Sequence, residues 1–176
     1  TLWQDYATLI LKKASSQPKD IAIKDLANTR VLVENYCKAY ATYTTLCDNL
    51  TQRIAKYRWE IGNEQEEDHE FDKAISTYRD TINENVSAYS KKAEYRFLIC
   101  KVKLGQITED VEQDIDYMLQ QKANQSLHND LAYRYACYLI KAIRPNDAER
   151  IVQDYIPGET QLAAICTNLY IKESEK

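Results

Sequence analysis

Apolar residues recur along most of the chain at the three- and four-residue steps of an α-helix, and polar interruptions divide them into segments. The spacing predicts a first short helix from Leu2 to about Lys13, with Leu2, Tyr6, Leu9 and Ile10 on one face. Ser15, Ser16, Gln17 and Pro18 break it, and Asp20 can cap the next helix. Between Ile21 and Gly62 neither Pro nor Gly occurs. There Val33, Tyr36, Tyr40, Tyr43, Cys47, Leu50, Ile54, Tyr57 and Ile61 form a heptad-like stripe. The stripe allows a single helix of ~40 residues, about 60 Å long at 1.5 Å per residue. It equally allows two helices laid on the domain's own core, with Asp48, Asn49 or Thr51 capping the second. Tyr and Cys make poor coiled-coil seams, which favours packing within the chain. Self-association through this N-terminal helix is the alternative.

After Gly62 comes an acidic turn, Glu64 to Glu70, and then a helix carrying Phe71, Ala74, Ile75, Tyr78 and Ile82. Asn83 to Asn85 end it. A helix from about Ala88 to Leu104 stops at Gly105, and the next, from about Thr108, buries Val111, Ile115, Met118 and Leu119. The polar stretch Gln120 to Asn129 is predicted as a linker, with Leu131, Tyr135, Tyr138 and Leu139 on the helix beyond it. Pro145 and Asn146 turn the chain into a helix with Ala148, Ile151, Val152 and Tyr155. Pro157 and Gly158 end that one. Leu162 to Tyr170 form a last amphipathic helix, and Lys172 onward is a solvated tail.

Composition supports the all-α reading. Three Gly and three Pro among 176 residues are too few for the tight turns of a sheet protein. The net charge of −4 argues against a nucleic-acid or anionic-membrane surface. No apolar run approaches the ~20 residues that span a bilayer, and no signal segment opens the chain. Cys37, Cys47, Cys100, Cys137 and Cys166 are odd in number and never spaced as CxxC, as expected of free thiols in a reducing compartment. The sequons at Asn49, Asn85 and Asn124 are little above chance in so Asn-rich a chain. A cytoplasmic or nuclear location is expected.

A short pattern recurs: Tyr57-Arg58-Trp59, Tyr95-Arg96-Phe97 and Tyr133-Arg134-Tyr135, at intervals of 38 residues. Ala55 and Ala93 precede the first two, and Leu131 the third. Such periods mark stacked supersecondary units. The region from Ala55 to Ile156 resembles the tetratricopeptide-repeat family. Ile61-Gly62 match the small-residue step of that family's first helix, and Phe71, Ala74 and Tyr78 match the signature of its second. Lys103-Leu104-Gly105 is similar to the inter-helix turn of the family, with Val111 where Ala is usual. In the third unit Ala136 and Ala148 match the small positions, and Pro145 stands in the turn. Aligning the turns instead of the triplets shifts the later first helices by two residues.

The resemblance implies helical hairpins stacked as a short right-handed superhelix. An N-terminal helical arm (1–54) would precede the repeats (55–156), and a capping helix and tail (157–176) would close them. It also implies a concave surface lined by the first helix of each pair, gripping a peptide or partner helix. That surface would include Trp59, Asn63, Lys92, Tyr95, Arg96, Ile99, Tyr133, Arg134 and Cys137. Its aromatic and Arg content suits a protein segment carrying acidic and apolar side chains. One subset of the family binds acidic chaperone tails through a clamp of Lys, Asn and Arg. Asn63 and Arg134 fit that clamp, whereas Trp59, Arg96 and Asp130 depart from it, so chaperone-tail binding is not expected. Tyr57, Tyr78 and Tyr135 are assigned to the core.

No catalytic constellation is expected. His69 lies in an acidic run and His128 in a polar stretch, neither beside residues at metal-ligand spacing. The run Glu64 to Glu70 lacks the glycine and fixed spacing of a cation loop. Phosphate loops and nucleophile elbows are missing from the sequence. The sequence therefore reads as a non-catalytic protein-interaction adaptor without cofactor or metal, or as a structural segment of a larger assembly.

Overall fold

A computed structural model describes residues 2–174, with side chains described for residues 2–167. Among these residues the chain is all-helical and no strand occurs. Its helices are α1 (Leu2–Lys13), α2 (Lys19–Tyr36), α3 (Tyr43–Glu67), α4 (Phe71–Asn83), α5 (Ser87–Lys103), α6 (Glu109–Gln121), α7 (Gln125–Lys141), α8 (Pro145–Tyr155) and α9 (Thr160–Ser174). Helix α9 continues through Lys172 to Ser174, past the expected start of the tail, and Glu175 and Lys176 lie outside the described residues. Two compact units divide the chain, Thr1–Ala93 and Glu94–Lys176, with the border inside α5. The expected boundary at residue 55 falls in the middle of α3.

In the first unit the long apolar stripe folds as two helices, not one. Helix α2 ends where the Cys37 amide donates to the Val33 carbonyl at 2.9 Å, and tight turns follow through Tyr40 and Tyr43. Helix α3 begins at Tyr43, five residues before the first predicted cap at Asp48. Residues 37–42 hold neither Gly nor Pro, and Tyr40 and Thr42 are weak helix formers among them. Beside it the Trp3 ring stacks on Tyr36, with centroids 5.3 Å apart. Ala7 and Ile10 of α1, Ala22, Leu26 and Val33 of α2, and Leu50 and Ile54 of α3 form one apolar core. The Tyr57 hydroxyl closes it by donating to the Ala14 carbonyl at 3.0 Å. Lys19 pairs with Glu64 and Glu60 on α3, and its hydrogen bond to Glu64 holds its pKa above the usual value.

The other face of α3 receives α4. A Cβ on Gly62 would stand 2.6 Å from Cε1 of the buried Tyr78 ring, so the missing side chain is what lets the two helices approach. Tyr78 is fixed from its far end, its hydroxyl 2.9 Å from Asn63 Oδ1 and 3.1 Å from Glu66 Oε2.

The second unit has its own core, built from Tyr95 and Ile99 of α5, Ile115 and Leu119 of α6, Leu131 and Leu139 of α7, Ile151 of α8 and Leu162 of α9. Thr108 and Asn124 cap α6 and α7 by accepting from the Val111 and Leu127 amides. The predicted linker from Gln120 to Asn129 is therefore short. His128 is not in it: the residue is buried on α7, its Nε2 2.9 Å from the Leu119 carbonyl and its ring edge-on to Tyr155.

Three hairpins end their first helix in the same way. His69, Gly105 and Ile143 each adopt positive φ, at 63°, 67° and 57°. The next residue's amide reaches five positions back, Glu70 to Gln65, Gln106 to Lys101 and Arg144 to Leu139. The positive-φ residue's own amide bonds the carbonyl three positions back, at Glu66, Val102 and Ile140, and the two bonds together satisfy carbonyls that the helix end leaves open.

Candidate partner-binding cleft

The nine residues expected on one concave surface are divided between the units. Trp59, Asn63 and Lys92 belong to the first, the other six to the second. The Trp59 ring lies 5.7 Å from that of Tyr78, and Asn63 is engaged by the Tyr78 hydroxyl. Lys92 is exposed on α5.

Tyr95 and Ile99 have no surface to offer, which corrects their assignment. Both are fully buried in the second core, and the Tyr95 hydroxyl donates to the Met118 carbonyl at 3.0 Å. They sit on the side of α5 that packs against α6 and α7. Tyr133, at the matching place in the third triplet, is instead 44% exposed, while Tyr135 is buried. Ring stacking holds Tyr135 on Tyr138, with centroids 6.3 Å apart, and burial, seconded by Glu112, pushes its phenol pKa up.

Arg96 and Arg134 converge on Asp130. Arg134 Nε is 2.6 Å from Asp130 Oδ1, and Arg96 Nη1 is 3.8 Å from Oδ2. Arg58, the remaining triplet arginine, is a structural side chain. It bonds the Glu84 carboxylate at 2.5 Å and the Asp80 carbonyl at 3.2 Å.

Tyr133, Arg134 and Cys137 line a cleft of about 510 Å³ between the C-terminal parts of α5 and α7. Val102, Lys103, Leu104 and Gly105 form its α5 wall, and Tyr138 and Lys141 complete the α7 wall. The volume falls within the roughly 300–1,000 Å³ of ligand-binding clefts. Lys103 and Lys141 are the last residues of their helices and stand at the same place before the positive-φ caps, Gly105 and Ile143. Sequence reasoning missed both lysines as site residues, although the Lys103-Leu104-Gly105 turn was the signal that could have found them. The cap below Lys141 is braced by Arg144, which bonds Glu112 at 2.5 Å and Asp147 at 2.6 Å. The Glu112 bond, with that to Asp147, raises the guanidinium pKa further.

The first unit has a cleft of about 540 Å³ along Asn49, Gln52, Arg53 and Lys56 of α3, closed by Val86 to Tyr89 and Leu11. No residue expected at the site lines it. Five cysteines are free thiols, and Cys137 is the one in the α5–α7 cleft. Among the described residues no group of three or more His, Cys, Asp or Glu could hold a metal, and no helix is long and apolar enough to cross a membrane. Compared with known proteins, the chain matches no family model, no curated protein and no solved structure.

Proposed function

We propose that the chain is a tetratricopeptide-like helical-repeat module acting as a non-catalytic protein-interaction adaptor in the cytoplasm or nucleus. Its partner is a protein segment, an extended peptide or a helix, seated between first helices of successive hairpins. The observation that carries this reading is the α5–α7 cleft, where aromatic, aliphatic and cationic side chains surround an open volume. Interface anchors of this kind, Tyr and Arg above all, concentrate binding energy. The shared cap at His69, Gly105 and Ile143 supports the repeat reading, because one turn geometry recurs at intervals of 36 and 38 residues.

A structural role within a larger assembly is the second reading. Leu2, Tyr6 and Leu9 share a face of α1 and are exposed, Leu2 by 77% and Leu9 by 60%. An apolar stripe of that kind suits a neighbouring helix. Affinity capture separates the two. Proteins captured by the wild type should be lost with Tyr133→Ala/Arg134→Glu if the cleft is the site. If they persist there but vanish with Leu2→Ser/Leu9→Ser, the assembly role stands and the adaptor reading falls.

A further inference from the structure

The chain carries a net charge of −4, yet its α5–α7 cleft is lined by three cations, Lys103, Arg134 and Lys141. Among the described residues its lining contains no carboxylate. A lysine in the last turn of a helix offsets the partial negative charge there, which is an ordinary reason for one cation at each end. Arg134 lies two turns before the end of α7 and has no such role. Its Nε is held 2.6 Å from Asp130 Oδ1, on the same helix one turn away and outside the cleft lining. Tyr133 and Tyr138 supply aromatic surface among these charges.

We infer that this cleft binds an extended acidic peptide segment, its carboxylates meeting Lys103, Lys141 and Arg134 and its apolar side chains resting on Tyr133, Tyr138 and Leu104. The inference rests on the adaptor reading and names the chemistry of its partner. Asp130 is then an internal competitor: it engages Arg134 Nε while the cleft is empty, and an incoming carboxylate takes up the remaining donors of the guanidinium fork. A nucleic acid also presents anions, but a chain of net negative charge repels a polyanion as a whole, whereas a short peptide meets only the local field.

The test uses the full chain and fluorescence anisotropy. The probes are a labelled peptide of alternating Glu and Leu, the Gln/Leu and Lys/Leu peptides of equal length, and an oligouridylate. The Glu/Leu peptide should bind about tenfold more tightly than the Gln/Leu peptide, and added salt should erase the difference. Lys103→Gln/Lys141→Gln should remove that preference, Lys103→Arg/Lys141→Arg should retain it, and Asp130→Asn should strengthen binding several-fold. Helical circular dichroism checks that each variant is folded. Equal binding of the Glu/Leu and Gln/Leu peptides, or a preference untouched by the lysine variants, overturns the inference. Tighter binding of the neutral or basic peptide than of the Glu/Leu peptide overturns it while leaving the adaptor reading in place. Tighter binding of the oligouridylate overturns it in favour of nucleic acid. Binding of no probe overturns the inference, and the adaptor reading then stands or falls on the affinity capture with Tyr133→Ala/Arg134→Glu.

Discussion

Ile143 occupies left-handed backbone at φ 57°, where its branched Cβ crowds the following carbonyl. The same cap is made by Gly105 in the α5–α6 hairpin without that crowding. For a residue with a side chain the conformation costs roughly 1–2 kcal/mol, and glycine's extra freedom in the unfolded chain returns roughly 0.5–1. Ile143 is 66% exposed, so little packing is lost by removing it. Ile143→Gly should therefore stabilise the protein by about 0.5–1 kcal/mol. Urea titration measures this, and a lower midpoint for Ile143→Gly would show that the isoleucine makes contacts worth more than the strain. Such a residue is hard to read from sequence. Gly105 marks its turn by itself, whereas Ile143 is marked only by Pro145 two places on. The binding residues divide in the same way. Tyr95 and Tyr133 are identical in their triplets, yet one is fully buried and the other exposed, because the triplet records the helix and not what packs on its face.

Between elements, the decisive contacts in the first unit are ionic as well as apolar. Glu84, at the end of α4, receives Arg30 of α2 and Arg58 of α3, each at 2.5 Å, and its own side chain is 7% exposed. One carboxylate thus ties three helices together. Removing it by Glu84→Ala leaves two half-buried guanidinium groups without this partner. Breaking a fully buried pair costs about 3–5 kcal/mol, and the partial exposure of both arginines reduces the expected loss here to about 1.5–3. Glu84→Gln, whose single amide oxygen can still accept from one of the two arginines and whose side chain fills the same space, should lose less than Glu84→Ala. Equal stability of wild type and Glu84→Ala in chemical denaturation would reduce the triad to a surface feature. The helices themselves were largely legible, since their apolar period and their Pro, Gly and Asn stops are local signals. The break at residues 37–42 was not, because Lys38, Ala39 and Ala41 are strong helix formers and Tyr40 and Thr42 are only mildly averse to helix. His128 was hidden for a related reason. Its polar neighbours read as linker, while its burial depends on the Leu119 carbonyl of the preceding helix.

At the scale of the whole chain, two cores mean two places where stability is set. Leu50 is fully buried among α1, α2 and α3, and Leu139 is fully buried in the core of the second unit. Truncating either to alanine removes apolar contacts and leaves a void, at roughly 2–5 kcal/mol. A compact unit with its own core opens as a cooperative body, so the loss should appear where the core lies. Leu50→Ala should speed amide exchange throughout α1, α2 and α3 and leave α7 and α8 as protected as in the wild type. Leu139→Ala should do the reverse. The continuous helix α5 is what makes this a real test, because it carries the border between the units within a single run of hydrogen bonds. If Leu50→Ala deprotects α7 and α8 to the same degree, α5 transmits the loss and the chain unfolds as one body. Protection retained in α7 and α8 would instead mean that the α5–α7 cleft keeps its walls when the first unit opens.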